Sequence, residues 1–314
     1  MPSLLNMPDV VMSLILEKSD FRAIQNLRKS CRDLRNFIDD VKPESKLTTV
    51  EVSRKSDEFP EIALELFLDG QYAELVYQKI DDGCLVTFND KEKLLENSDF
   101  WEVACRDIQS LLDSRNSLNH LDINASSLLE PLRNILQSRR QKIKVESFSM
   151  YFQLLNQVIE FLPLLDSVEQ LKLGAPIPMH STILDVSELL KTEHWKHLKQ
   201  FHTNYFHVDI PIDDLIHLEQ VYLSVKEITL NMVLRLKEEF LRSPHMSHFV
   251  FYYEQFDSNH HQLIEIFGPI YERRDEEDSY WQFRIPSDPG NVLQIVNRVS
   301  QNVLNHFSFA RLDS

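Results

Sequence analysis

The 314-residue sequence has only five glycines, and no two lie close enough together to cradle a phosphate. Gly70, Gly83, Gly174, Gly268 and Gly290 form neither G-x-G-x-x-G nor G-x-x-x-x-G-K-[ST]. Such loops need glycine so that backbone N–H groups can approach phosphate oxygens closely, so a nucleotide-using enzyme is not expected. The three cysteines, Cys31, Cys84 and Cys105, are odd in number and scattered, which suits a reducing compartment better than a disulfide framework. No apolar run approaches the roughly 18 residues of a membrane span. The N-terminus lacks the basic start of a secretory signal, and Asp9 interrupts its apolar run. No membrane association is expected, and the expected location is cytoplasmic and/or nuclear. Positive charge is also in deficit, with 33 Lys and Arg against 49 Asp and Glu. Residues 1–55 hold 10 cationic and 8 acidic side chains, and the remainder 23 and 41. A strongly acidic body argues against nucleic acid, where cations supply most of the affinity, and permits a basic protein partner.

Catalytic and metal-binding patterns are missing as well. His194 and His197 are three apart, as are His245 and His248, while His260 and His261 are adjacent. None has a cysteine nearby and no H-E-x-x-H occurs, so the three or four ligands that zinc requires are not in place. Carboxylates pair at Asp39-Asp40, Asp81-Asp82, Asp213-Asp214 and Asp275-Glu276-Glu277-Asp278; these read as turns, boundaries and one solvated loop. No catalytic residue, cofactor or metal is expected.

What is present is strong periodicity. Residues 62–68, 72–80 and 84–88 read as strands separated by Asp69-Gly70 and Asp81-Asp82-Gly83, which have turn chemistry. A helix is expected from about Ser98, with Phe100, Ala104, Ile108, Leu111 and Leu112 on one face. From Leu118 onward, triplets at i, i+3 and i+5 recur at Leu118/Leu121/Ile123, Val145/Phe148/Met150, Val168/Leu171/Leu173, Leu198/Phe201/Thr203, Leu218/Val221/Leu223, Met246/Phe249/Phe251 and Tyr280/Phe283/Ile285. Helical patterns lie between most of them. One strand and one helix per 20–30 residues is the leucine-rich-repeat plan, although the usual Asn eight residues into each unit is absent. The spacing therefore predicts an irregular, leucine-rich-repeat-like α/β solenoid over 118–314, with an ordinary α+β domain as the alternative. Its rows would be parallel, Leu121, Phe148, Leu171, Phe201, Val221, Phe249 and Phe283 would stack inside it, and a helix over about 289–307 would cap it.

The most distinctive stretch is LLNMPDVVMSLILEK, residues 4–18. Pro8 and Asp9 would open a helix that is apolar almost all round, whereas a surface helix needs only one apolar stripe. Asp20 would cap a second helical region, where Phe21, Ile24, Leu27, Cys31, Leu34 and Ile38 recur at spacings of three and four. Leu5, Met7-Pro8-Asp9, Val11, Ile15, Leu16, Asp20-Phe21, Ile24, Leu27, Arg28-Lys29-Ser30-Cys31-Arg32 and Leu34 resemble the F-box pattern. Residues from about 60 to 255, including Asp82-Gly83-Cys84, Asn97-Ser98-Asp99-Phe100 and Leu118 to Ile123, resemble the FTH domain that follows the F-box in a nematode family. Asp9 stands where Glu is commoner, Ser19 replaces an apolar residue, and the third helix lacks tryptophan.

The resemblance implies three parts. A three-helix F-box would occupy 1–45, a linker with a β-meander and helix 46–117, and a substrate-binding array 118–314. It further implies a non-catalytic substrate receptor of a Skp–cullin–F-box ubiquitin ligase. Leu5, Pro8, Val11, Ile15, Leu16, Ile24 and Leu27 would bind the Skp-type adaptor. A target protein carrying a basic patch would be held by exposed aromatic and acidic groups, with Tyr205, Asp213, Tyr222, Tyr252, Tyr253, Asp275, Glu276 and Glu277 as candidates. The alternative within the same resemblance is a scaffold or neutralising protein that sequesters one target.

Overall fold

The computed structural model describes residues 7–313 except 20, 42–46, 55–60, 69, 90, 114, 125, 272–277 and 300–304. The chain divides into two compact units, residues 1–146 with 164–167, and 147–163 with 168–314.

The first unit opens with helices α1 (Asp9–Lys18), α2 (Phe21–Ser30) and α3 (Arg32–Val41). Strands β1 (Leu47–Ser53), β2 (Glu61–Leu68), β3 (Gln71–Ile80), β4 (Gly83–Phe88) and β5 (Lys91–Glu96) follow, then α4 (Phe100–Asp113), β6 (Ser117–Asn124) and α5 (Leu129–Ser138). The sheet order is β6-β1-β2-β3-β4-β5. β1 runs parallel to β6, and every other pairing is antiparallel. One face carries Val50, Val52, Ile62, Leu64, Leu66 and Tyr77, all buried. The Tyr77 hydroxyl donates to Asp107 of α4 at 2.8 Å, which places α4 on that face.

The β3–β4 turn depends on glycine. Gly83 has φ +147°, and a Cβ built there would lie 2.2 Å from the Leu95 carbonyl oxygen. Gly83→Ala is therefore expected to destabilise the chain by at least ~2 kcal/mol, combining backbone strain with a clash against the β5 main chain. Denaturant unfolding would detect this, and an unchanged midpoint would contradict it.

The second unit contains most of β7 (Ile143–Tyr151), then α6 (Leu155–Phe161), β8 (Leu165–Asp185), α7 (Ser187–Leu190), α8 (Glu193–His197), β9 (Gln200–Asp209), β10 (Gln220–Ile228), α9 (Leu230–Arg242), β11 (His248–Phe256), α10 (His260–Phe267), β12 (Asp278–Arg284), β13 (Asn291–Arg298) and β14 (Asn305–Asp313). Strand order is β12-β13-β14-β11-β10-β9-β8-β7. β8 to β11 pair in parallel. β14 joins β11 antiparallel, followed by β13 and β12.

The triplets read from sequence locate the strands well. All three members of the first six triplets are buried. Leu171, Phe201, Val221 and Phe249 are direct neighbours across β8 to β11. The row then continues through Phe309, Ile295 and Trp281. Phe283 pairs with Leu293 instead and falls outside it. Trp195 of α8 packs on Phe201 with ring centroids 4.8 Å apart, and Phe240 of α9 on Phe249 at 5.2 Å. Phe267 of α10 meets Trp281 at 5.4 Å. These helices all cover the same face.

Two expectations are corrected. The array is not a leucine-rich-repeat-like solenoid but a mixed sheet, whose parallel run ends where the late strand β14 is inserted beside β11. The expected capping helix over 289–307 is also absent: 291–298 is β13, and residues from Asn305 on are β14. Val292, Ile295, Val296 and Val299 satisfy a helical spacing, but β-branched side chains lose rotamer freedom in helices and pack well on sheets. Leu293, Ile295 and Asn297 are the buried, alternating set. Arg311 fixes β14 in place. It donates to the carbonyls of Phe240 at 3.1 Å and Ser243 at 2.6 Å, at the C-terminal end of α9, and to Asp288 at 3.1 Å. A cation there satisfies carbonyls that have no partner within the helix.

No helix among the described residues is long and apolar enough to cross a membrane.

Candidate functional site

Two surfaces emerge, one in each unit. The first is α1. Asp9 in its first turn and Lys18 in its last both favour the helix dipole. Met12 and Leu16, four residues apart, turn inward, and Leu16 joins Ile24 and Ile38 in a small core against which Leu27 and Phe37 pack. The opposite side is apolar and open: Val10 is 72% exposed, Leu14 51% and Val11 40%. The all-round apolar character thus has two causes, a core on one side and an uncovered surface on the other. Of the residues expected to meet an adaptor, Pro8 and Val11 are exposed and Ile15 and Leu27 half-buried. Leu5 lies outside the described residues. Leu16 and Ile24 are a correction, since both are buried in the module's own core and have no surface to offer. Val10 and Leu14, at i, i+4 spacing and in the opposite phase to Met12 and Leu16, are exposed on the open side.

The second surface is the sheet face of the second unit opposite α8, α9 and α10. Side chains alternate along a strand, so the buried row at Phe201, Val221 and Phe249 sets the opposite rows. One holds Lys172, His202, Tyr222, Val250, Ser308, Val296 and Tyr280 in register. The next holds Gln170, Gln200, Gln220, His248, Ala310, Gln294 and Gln282. Tyr222 lies against His202 with ring centroids 4.5 Å apart and planes tilted by 51°, and its hydroxyl shares a 2.7 Å hydrogen bond with His248 Nδ1. Tyr252 lies against His306 at 5.7 Å. These two rows are aromatic and amide-rich, with Lys172 as their charged member, while the row of Tyr252 and His306 continues through Arg298 and Asp278.

The other candidate target residues are dispersed. Tyr253 is corrected: it follows Tyr252 and so points to the helix side, where it is buried and its hydroxyl donates to Asn297 Oδ1 at 2.8 Å. Asp213 pairs with Arg235 at 3.2 Å beside α9. Tyr205 is exposed with φ +73°, in a stretch of β9 whose register against β8 shifts. Asp275, Glu276 and Glu277 lie outside the described residues.

His202 is a pH-sensitive element of this face. Burial, with a smaller contribution from Lys172, pushes its imidazole down to about 4 from 6.5. Its Nε2 is buried without a hydrogen-bond partner among the described residues. The folded chain keeps His202 neutral where the unfolded chain protonates it. The stability held above pH 6.5 is therefore lost as pH falls towards about 4. His202→Gln is expected to flatten that part of a pH–stability profile; a profile of unchanged slope would contradict the assignment.

One arrangement has the outline of a hydrolytic triad. His207 Nδ1 lies 2.9 Å from Ser224 Oγ and its Nε2 2.9 Å from Glu254. The Ser224 amide, however, donates to Thr203 Oγ1, so it is already committed and is not aimed at a developing oxyanion. We read the network as polar satisfaction of a buried histidine. Burial, then Asp99 and Asp107, raises the Cys84 thiol, and burial also raises that of Cys105, which disfavours the reactive thiolate.

Comparisons with known proteins find two domain matches in the chain. The F-box domain model matches residues 4–46, which include α1 to α3. The N-terminal segment is thus similar to the F-box domain. The FTH domain model matches residues 126–270. The chain is similar to F-box A protein 224 of Caenorhabditis elegans, 27% identical over 235 residues that make up 69% of this chain and 59% of that protein. The chain thus spans about three fifths of the length of that relative. No solved structure matches.

Proposed function

We propose that the chain is the substrate-recognition subunit of a Skp–cullin–F-box ubiquitin ligase. F-box domains generally bind Skp-type adaptors of cullin-RING ligases. The observation that carries the reading is the uncovered apolar side of α1, with Val10, Val11 and Leu14 exposed on a module whose core is already filled from its other side. Pro8 and Ile15 flank that patch. Fully burying one Val or Leu contributes roughly 1.5–3 kcal/mol, so three or four suffice for an interface after association costs.

The target would rest on the uncovered face of the second unit, with Tyr222 and Tyr252 as anchors, since aromatics supply much of the energy of interfaces. The receptor performs no chemistry itself; holding target and adaptor on one chain raises their effective concentration. Co-expression with a Skp-type adaptor is the test. A complex that co-elutes in gel filtration is expected, and a chain that elutes alone overturns the reading.

A further inference from the structure

The sheet of the first unit also has an uncovered face, opposite α4, with different chemistry. Glu51 of β1 is directly opposite Asp122 of β6 on one side and Glu65 of β2 on the other. Glu65 is in turn directly opposite Glu74 of β3. Four carboxylates therefore form one line across four adjacent strands. Like charges directly opposite one another destabilise a sheet, so this line has a cost in the isolated chain. Among the described residues no lysine or arginine pairs with Glu51 or Glu65. Burial, then Asp122 and Glu65, raises the Glu51 carboxyl.

A second, apolar row runs beside the first on the same face. Phe67 and Tyr72 are register partners on β2 and β3, their rings 6.0 Å apart edge to face. They are 44% and 50% exposed. Aromatic side chains left open beside a line of charge are the composition of a protein interface, with an anchor and a steering rim.

We propose that this face docks a basic amphipathic helix of a partner protein, its cations on the Asp122–Glu51–Glu65–Glu74 line and its apolar residues on Phe67 and Tyr72. Spacing selects the helix. Neighbouring strands are about 4.8 Å apart, so the carboxylates recur at that interval across the sheet. Same-face side chains of a helix recur about every 5–6 Å at i, i+4 and i+7, whereas those of an extended strand recur at about 6.8 Å. A helix lying across the strands keeps pace with the line. The net charge of −16 adds steering towards a cationic segment.

The test uses the full chain and a labelled synthetic helix of about 20 residues with Lys at i, i+4, i+7 and i+11 and Leu on the adjoining stripe. A peptide of the same composition with its lysines scattered round the helix is the control. Fluorescence anisotropy at about 50 mM and about 150 mM salt is expected to show the ordered peptide binding about tenfold tighter than the control, and more weakly at the higher salt. The triple variant Glu51→Gln, Glu65→Gln, Glu74→Gln should abolish that preference, and Tyr72→Ser should weaken it several-fold. The triple variant should melt no lower than the parent, because it removes repulsion; if it does melt lower, Glu51→Gln alone replaces it. Equal binding of both peptides, which would signify diffuse attraction to an acidic protein, overturns the proposal. So does a triple variant that binds like the parent. Sedimentation at the same concentrations should show a monomer; a dimer that the triple variant dissolves would make the occupant a second copy and likewise overturn it. No adaptor enters the assay, so its outcome is separable from that of the ligase reading.

Discussion

Val10→Glu combined with Leu14→Glu is expected to abolish co-purification of a Skp-type adaptor while leaving the chain folded. Both side chains point to solvent, at 72% and 51% exposure, so the charges cost the free protein little. In a complex each would replace an apolar contact by a buried carboxylate. Losing two such contacts removes roughly 3–6 kcal/mol, and desolvating the new charges adds more. A loss of over a hundredfold in affinity follows. Leu16→Asp is the contrasting control. Leu16 has no exposed surface and packs on Ile24 and Ile38, so this variant should also lose the helical signal of the N-terminal module. If the double variant retains the adaptor, the open side of α1 is not the contact.

Phe249→Ala is expected to have the largest effect on stability. Phe249 is fully buried in the middle of the cross-strand row, between Val221 and Phe309. It also packs against Phe240 and Phe251 at 5.2 Å and 6.3 Å. Truncation there leaves a cavity bounded by strands on both sides and a helix above, which cannot easily collapse, so the cost should sit near ~4 kcal/mol. A fall in melting temperature on the order of 10 °C follows. Tyr222→Ala, one residue outside this row in phase, should cost far less, because its face is uncovered. Equal destabilisation of the two variants would mean that both faces of the sheet are covered.

The contrast between those two residues shows what was legible in the sequence. The triplets located the strands and their buried members, because the i+3 and i+5 positions share one face of a strand and need a core whatever their neighbours are. They could not identify the neighbours. Leu171, Phe201, Val221 and Phe249 are consecutive in sequence and in space; Phe309 lies next to Phe249 only because of long-range pairing, which leaves no local trace. β1 was missed although Val50 and Val52 alternate with Thr49 and Glu51, a signal that was present but short. The terminal segment fits a helical period at Val292, Ile295, Val296 and Val299, and its β-branching is the signal that favours a strand. At the candidate sites, residue type could be read but phase could not. Tyr252 and Tyr253 were chosen together, yet adjacent residues on a strand cannot share a face. Leu16 and Val11 were likewise grouped, though one fills the core and the other is open.

The position of β14 has a consequence for how the chain is made. This strand is last in the sequence but lies inside its sheet, between β11 and β13. The order of synthesis therefore differs from the order of assembly. When β11 leaves the ribosome, one of its edges stays unpaired, with Phe249 and Phe251 beside it, until residues up to Asp313 have been added. At about 5–20 residues per second that interval lasts several seconds. During it the nascent chain presents a hydrophobic sheet edge of the kind that chaperones bind. A message truncated shortly before β14 would leave that edge open permanently, making its product a client of protein quality control.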